Sequence, residues 1–220
     1  VTRAWQLDHP APGLAVAQPV GGFKYTSDAF WLAGFALERP ATTVLDLGTG
    51  SGIVAWLLAS SGLEATGVDD HPEWPEGWAR SSGPRPVRWV AGSVATLALG
   101  ERFDLVTCNP PYWPQGAGPE ARDPLTRAGR VERTAQLRDF VAAGLRHLAP
   151  GGTFALVLPA VRLRDLVAAP ILEVVGCRDR ALVRLGEGAP TGEQVATEDR
   201  VRGWYHRFGA RPPERGVAGG

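Results

Sequence analysis

Thr43-Val-Leu-Asp-Leu-Gly-Thr-Gly-Ser-Gly52 is a short apolar run that breaks into glycine at every second position. The first five residues read as a buried strand, and residues 53–60 after the break have a helical apolar pattern. Gly48, Gly50 and Gly52 permit positive φ and close backbone approach, and the start of the following helix presents unpaired amide donors. A polar small molecule is expected there, at the carboxyl edge of a sheet. The dinucleotide-binding fingerprint fails, because counting from Gly48 its third glycine would fall on Ile53. Asp46 would repel a pyrophosphate but suits a ligand carrying an ammonium group, such as S-adenosylmethionine. Asp69 ends the next apolar run, Ala65-Thr-Gly-Val-Asp69, where a carboxylate can accept hydrogen bonds from both hydroxyls of a ribose. Each feature alone has a plain structural reading, a tight turn for the glycines and a loop cap for Asp69. Their joint placement favours a ligand.

Outward from this stretch, Val87-Arg-Trp-Val90, residues 103–108 and residues 153–158 are further apolar runs bounded by Gly, Pro and Asp. Helical patterns occupy residues 135–148 and 160–168. Alternation of strands and helices implies right-handed crossovers and an α/β doubly wound, mostly parallel sheet with helices on both faces. Before the core, residues 26–38 read as a helix capped by Thr26 or Ser27, its apolar face carrying Phe30, Ala33 and Leu37. Residues 171–175 and 180–185 read as a closing hairpin, and residues 197–208 as one more helix. The second crossover is rich in Pro and Gly, leaving room only for a short helix around Trp74 and Trp78. Residues 113–134 form a long irregular segment. The organisation expected is an extension with a helix over residues 1–40, a catalytic domain over 41–208 and a disordered tail over 209–220.

With 220 residues and 44% hydrophobic content, one such domain can bury a sizeable core. The 23 basic residues, of which only Lys24 is not Arg, balance 23 acidic ones, so a nucleic acid must be held by local patches. Residues 120–138 and the segment from Thr197 each carry a modest positive excess. Two cysteines make neither a disulfide framework nor a metal cluster, no long apolar run suggests a membrane span, and a cytoplasmic protein is expected. Cys108 reads as a small buried hydrophobe, and the four histidines share no common place.

The fourth strand runs into Asn109-Pro-Pro-Tyr112. Two prolines fix φ and remove two backbone donors, so this strand end offers acceptors and few donors. The Asn109 side-chain oxygen and the Pro110 carbonyl match a group with two N–H bonds, a primary amide or an exocyclic amine. Holding those hydrogens favours a pyramidal nitrogen whose lone pair can attack a sulfonium methyl, with no general-base carboxylate required. Tyr112 offers a ring for a planar substrate to stack on. In isolation such a tetrapeptide is a rigid turn with core aromatics.

Taken in order, these motifs resemble the seven-stranded, Rossmann-like class I S-adenosylmethionine-dependent methyltransferases that methylate nitrogen and carry Asn-Pro-Pro-Tyr. The likeness runs from about Gln18 to Leu185. It implies strand order 3-2-1-4-5-7-6 with the last strand antiparallel. Residues 18–28, Gln-Pro-Val-Gly-Gly-Phe-Lys-Tyr-Thr-Ser-Asp, and Arg130-Val-Glu132 resemble segments of the bacterial tRNA adenine methyltransferases that modify the adenine beside the anticodon of a valine tRNA. The resemblance implies that Asp46, Gly48 and Gly50 line the methionine end of S-adenosylmethionine, that Asp69 holds its ribose, that Thr49, Gly52, Ser93 and Asn109 also bind the cofactor, and that Asn109, Pro110 and Tyr112 hold the target base. Ser93 stands where the family often places an acidic residue against the cofactor adenine, and Val131 replaces a histidine. The expected activity is methylation of the exocyclic amine of adenine in RNA, tRNA first, without a metal. A protein glutamine-amide methyltransferase of the release-factor type, an rRNA base methyltransferase and a catalytically silent RNA-binding protein are the alternatives.

Overall fold

In a computed structural model of the chain, the described residues are 3–22, 24–112, 135–166 and 168–212. Ten strands and five α-helices make up the described regular structure, together with two short 3-10 turns. The irregular segment 113–134, with Arg130-Val-Glu132 and most of the basic stretch 120–138, and the tail from 213 lie outside the described residues.

β1 (Trp5–Ala11) and β2 (Leu14–Pro19) form an antiparallel hairpin apart from the main sheet. α1 (Ser27–Ala36) follows, then β3 (Thr43–Leu47), α2 (Ile53–Ser60), β4 (Glu64–Asp69), α3 (Trp74–Arg80), β5 (Val87–Ala91) and β6 (Phe103–Cys108). α4 (Leu137–Arg146), β7 (Leu148–Pro159), β8 (Ile171–Cys177), β9 (Arg180–Gly186), β10 (Glu193–Val195) and α5 (Glu198–His206) complete the chain. The main sheet has the order β5-β4-β3-β6-β7-β9-β8-β10. Only β9 runs antiparallel to its neighbours. The first seven strands in this row reproduce the 3-2-1-4-5-7-6 order. The sheet nevertheless has eight strands, because β10 adds to the β8 edge in parallel. Its three residues are all exposed, so backbone pairing alone forms it and no apolar pattern announces it.

One face of the sheet carries α1, α2 and α5, the other α4 and both 3-10 turns. α1 differs from the amphipathic expectation: residues 28–36 are all buried, because the helix lies between the sheet, α2 and α5. Gly34 gives room to Trp204 of α5; a Cβ at 34 would lie 2.3 Å from the Trp204 side chain. Thr26 is the N-cap of α1 but makes no side-chain capping bond. The helix expected at residues 160–168 is a 3-10 turn, Ala160–Leu166, confined between Pro159 and Pro170. α4 begins with a capping box between Gln136 and Asp139.

The short second crossover is a single helix, as its prolines require. Trp74 and Trp78 of α3 are buried against the partly buried Trp5 and Trp89, and Trp78 stacks on Trp89 with ring centroids 5.0 Å apart. This tryptophan layer closes the edge of the sheet directly over the glycine turn.

Candidate active site

Strand register brings the expected residues to one edge. Leu47 pairs with Val68 of β4 and with Cys108 of β6, so the chain leaves β3 at Gly48, β4 at Asp69 and β6 at Asn109 side by side. Asp69 pairs with Ala91 of β5, and the Gly92 N–H donates to the Asp69 carbonyl at 2.9 Å, which sets Ser93 next to them. Ser93 is half-buried and caps the 3-10 turn Val94–Thr96 without a side-chain bond.

The glycine turn is held from both sides. Gly48 and Gly50 take φ of 65° and 55°, in the left-handed region that favours glycine. Gly52, at φ 82°, also has the Trp89 ring where its Cβ would stand, 2.4 Å away, so this glycine serves close packing of the α2 start. The Trp78 indole N–H donates to the Gly50 carbonyl at 2.8 Å. Thr49 donates its backbone N–H to Val68, and its hydroxyl to Asp46 at 2.5 Å. Thr107 of β6 donates its hydroxyl to the other Asp46 oxygen at 2.7 Å.

Asp46 is therefore only 2% exposed and faces hydroxyls of this chain. It shapes the turn from beneath. Asp69 accepts the Gly50 N–H at 2.9 Å on one oxygen and the His71 N–H at 2.9 Å on the other. It caps two loops, and the Asp70 backbone also bonds to it, leaving acceptor capacity on a group with about four lone-pair sites. Burial pushes both carboxyls up to about 6, against the hydrogen bonds that would lower them. Of the two, only Asp69 is partly exposed at the sheet edge, where a carboxylate suits a hydroxyl-bearing ligand. S-adenosylmethionine, a cation with a ribose diol, fits this donor set.

At the end of β6 the Asn109 side-chain oxygen is buried and has no hydrogen-bond partner among the described residues. Pro110 is buried, and Pro111 and Tyr112 are half-buried. Two of the strand-end carbonyls, which the sequence suggested no neighbouring element would use, are taken within the chain. Arg162 Nη1 donates to the carbonyls of Pro111 and Tyr112 at 3.3 and 3.4 Å, but not to that of Pro110. The Tyr112 hydroxyl donates to Asp28, and Arg180 Nε donates to the same Asp28 oxygen at 2.9 Å. The Arg180 guanidinium covers one face of the Tyr112 ring, 4.7 Å from its centroid. Asp28, Arg162 and Arg180 carry no local sequence signal for this role, since they lie 84, 50 and 68 positions from Tyr112 in the chain.

The remaining expectations sort as follows. Cys108 is buried, and burial with Asp46 nearby raises its thiol well above its ordinary value, so it is no nucleophile. His147 is a buried structural residue against Ala143 and Leu99. Of the basic residues after Thr197, Arg200 is not an open RNA contact. It is paired with Glu38 and Glu173, which pins α5 to α1 and β8. Among the described residues there is no cluster that would hold a metal ion, and no helix is long and apolar enough to cross a membrane.

The family described as a methyltransferase domain matches residues 44–152. In solved structures, the chain is similar to the 16S rRNA N2 G1207 methyltransferase of Thermus thermophilus, with TM-score 0.58, 22% identity, and coverage of 84% of this chain and 51% of that one. It is also similar to a predicted O-methyltransferase of Agrobacterium tumefaciens, with TM-score 0.53, 17% identity, and coverage of 76% and 85%. The fold is the Rossmann-like fold of class I methyltransferases, and residues 44–152 match a methyltransferase domain. Among curated relatives, the tRNA1(Val) (adenine(37)-N6)-methyltransferase of Aeromonas salmonicida is 32% identical over 66% of this chain and 63% of its own length. That of Aeromonas hydrophila is 30% identical over 78% of this chain and 80% of its own. The chain belongs to the family of these relatives, and it spans between about three-fifths and four-fifths of their length.

Proposed function

We propose that the protein transfers a methyl group to the exocyclic N6 of an adenine in tRNA, with the adenine beside the anticodon of a valine tRNA as the particular target. The observation that carries this reading is the Asn109 side-chain oxygen, buried and unpartnered at the strand end beside the glycine turn. A desolvated acceptor without a donor costs about 1–3 kcal/mol, and a substrate N–H offsets that cost. Asn109 and the Pro110 carbonyl accept the two amine hydrogens, and Tyr112 supports the base on the ring face opposite Arg180. The names of the relatives supply the nucleobase and the tRNA.

S-adenosylmethionine, when bound, supplies the methyl group on a sulfonium sulfur. For this chain's own residues, Gly48, Thr49, Gly50 and Gly52 form the turn against its methionine end. Asp46 holds that turn from below through Thr49, Asp69 would receive the ribose of the cofactor and Ser93 would lie toward the cofactor adenine. The two acceptors bias the amine nitrogen toward a pyramidal geometry, and the proton leaves after the C–N bond forms. Residues 41–208 act as the catalytic domain, residues 1–40 as an extension that delivers α1 to the site, and a tRNA substrate implies a cytoplasmic location.

Incubation with methyl-labelled S-adenosylmethionine and, separately, unmodified bulk tRNA, rRNA and release factor tests this. Label recovered from tRNA as N6-methyladenosine supports it. Label on the release factor alone would replace it with the glutamine-amide reaction, and label on rRNA alone would change the substrate.

A further inference from the structure

Asp28, in the first turn of α1, is 4% exposed, which is unusual for a carboxylate unless it is paired. Its partners come from two distant parts of the chain. The Tyr112 hydroxyl arrives from the loop after β6, and Arg180 from the first position of β9. Both donate to the same oxygen, and the Arg180 guanidinium then lies over the Tyr112 ring, 4.7 Å from its centroid. Arg180 also pairs with Asp179, and Arg162 holds the main chain of the same loop through the Pro111 and Tyr112 carbonyls. Burial and the Asp28 charge raise the Tyr112 phenol far above its ordinary value, so the hydroxyl stays protonated and remains a donor to Asp28. It is therefore no base, and its one O–H is already donated to Asp28.

We propose that Asp28 and Arg180 are positioning residues for methyl transfer. They fix the orientation of Tyr112, and through it the two acceptors Asn109 and Pro110, while leaving one ring face for the target base. The inference rests on the proposed function, because it takes Tyr112 to carry the base. It also gives a physical reason for residues 18–28, whose importance the sequence alone could state only as a likeness. That segment ends on the carboxylate that reaches the acceptor loop.

A buried ion pair is weak evidence of net stability, so a purely structural role is the rival account. The two differ in how losses combine. If Asp28 acts through Tyr112, removing both cannot cost more than removing the worse one, whereas independent effects add. The experiment measures single-turnover rate, KM for tRNA and S-adenosylmethionine affinity by calorimetry for wild type, Asp28→Ala, Tyr112→Phe and the double variant. Each single variant is expected to lose about tenfold to a hundredfold in rate, as a displaced catalytic group does. The double variant should lose no more than the worse single, with cofactor affinity within about twofold in all four. Asp28→Asn keeps an acceptor for the phenol and should recover most of the Asp28→Ala loss; it also serves if the alanine variant does not fold. Additive losses, or a lowered melting temperature with the folded enzyme's rate intact, would overturn the proposal. If wild type labels a protein amide instead of tRNA, the proposed function fails, and the same cycle is run on that substrate, where non-additivity is still expected. A wild type that labels neither would overturn both.

Discussion

The Asp69 carboxylate at the end of β4 accepts the backbone N–H of Gly50, in the turn after β3, at 2.9 Å. One side chain thus fixes the relative position of two loops that together form the cofactor edge. The same carboxylate takes the His71 N–H on its second oxygen, so it anchors the loop after β4 as well. Asp69→Ala is expected to weaken S-adenosylmethionine binding by at least about tenfold, since it removes both the ribose acceptor and the order of the turn. Asp69→Asn keeps one acceptor oxygen and should fall between. Calorimetric affinities equal to wild type for both variants would reduce Asp69 to a loop cap.

Asp46 gives a pH signature. Burial holds its carboxyl up at about 6, whereas in an unfolded chain it titrates near about 4. The folded state binds that proton more tightly, so the stability it confers is full below about pH 4 and is lost as pH rises to about 6, a change on the order of 2–3 kcal/mol. Asp69 shifts in the same direction. Asp104 shifts the opposite way, held down at about 2 by the Thr42 hydroxyl and the Thr42 and Thr43 amides, and so titrates outside this window. Urea unfolding of wild type and Asp46→Asn at several pH values isolates the group. The wild type should lose stability relative to the variant between pH 4 and 6, and a pH-independent difference would contradict a perturbed Asp46.

The parts that were legible in the sequence are those whose signal is local. The apolar runs of β3, β4, β5 and β6, the short helix of the second crossover and the acceptor-rich end of β6 each follow from composition and from glycine or proline placement. β10 was not legible, because its residues are exposed and only its backbone pairs. The β1–β2 hairpin had a usable signal that went unread: Ala11 pairs with Leu14, leaving Pro12-Gly13 as a two-residue turn between strands. α1 misled because a helix enclosed on all sides has no polar stripe to reveal its packing. The Asp28 contact to Tyr112 spans 84 positions, and only the folded sheet brings its ends together.

Asn109 should show a conflict between stability and activity. Its side-chain oxygen is buried without a partner, a state that costs about 1–3 kcal/mol in the free enzyme. Asn109→Ala removes that cost together with the acceptor. The variant should melt at the same temperature as wild type or higher, bind S-adenosylmethionine normally, and lose at least about a hundredfold in transfer rate, the scale of deleting a charge-stabilising acceptor or donor. Calorimetry, thermal melts and single-turnover assays of one preparation report all three. Near-normal turnover would show that the two acceptors do not act on the amine.

Arg178 carries backbone strain in the β8–β9 hairpin. Cys177 pairs with Arg180, so the loop has two residues, and Arg178 takes φ 56° where such turns favour glycine. A side chain in this conformation costs about 1–2 kcal/mol. Its guanidinium stands over the Trp31 ring at 5.5 Å, a contact contributing about 0.5–1 kcal/mol at an exposed site. Arg178→Ala loses the contact and keeps the strain, whereas Arg178→Gly loses the contact and removes the strain. The glycine variant should therefore exceed the alanine variant by about 1 kcal/mol in denaturant unfolding, with wild type between them or level with glycine. Equal stability of the two variants would mean that the hairpin relaxes out of the left-handed conformation once the arginine no longer holds it against Trp31.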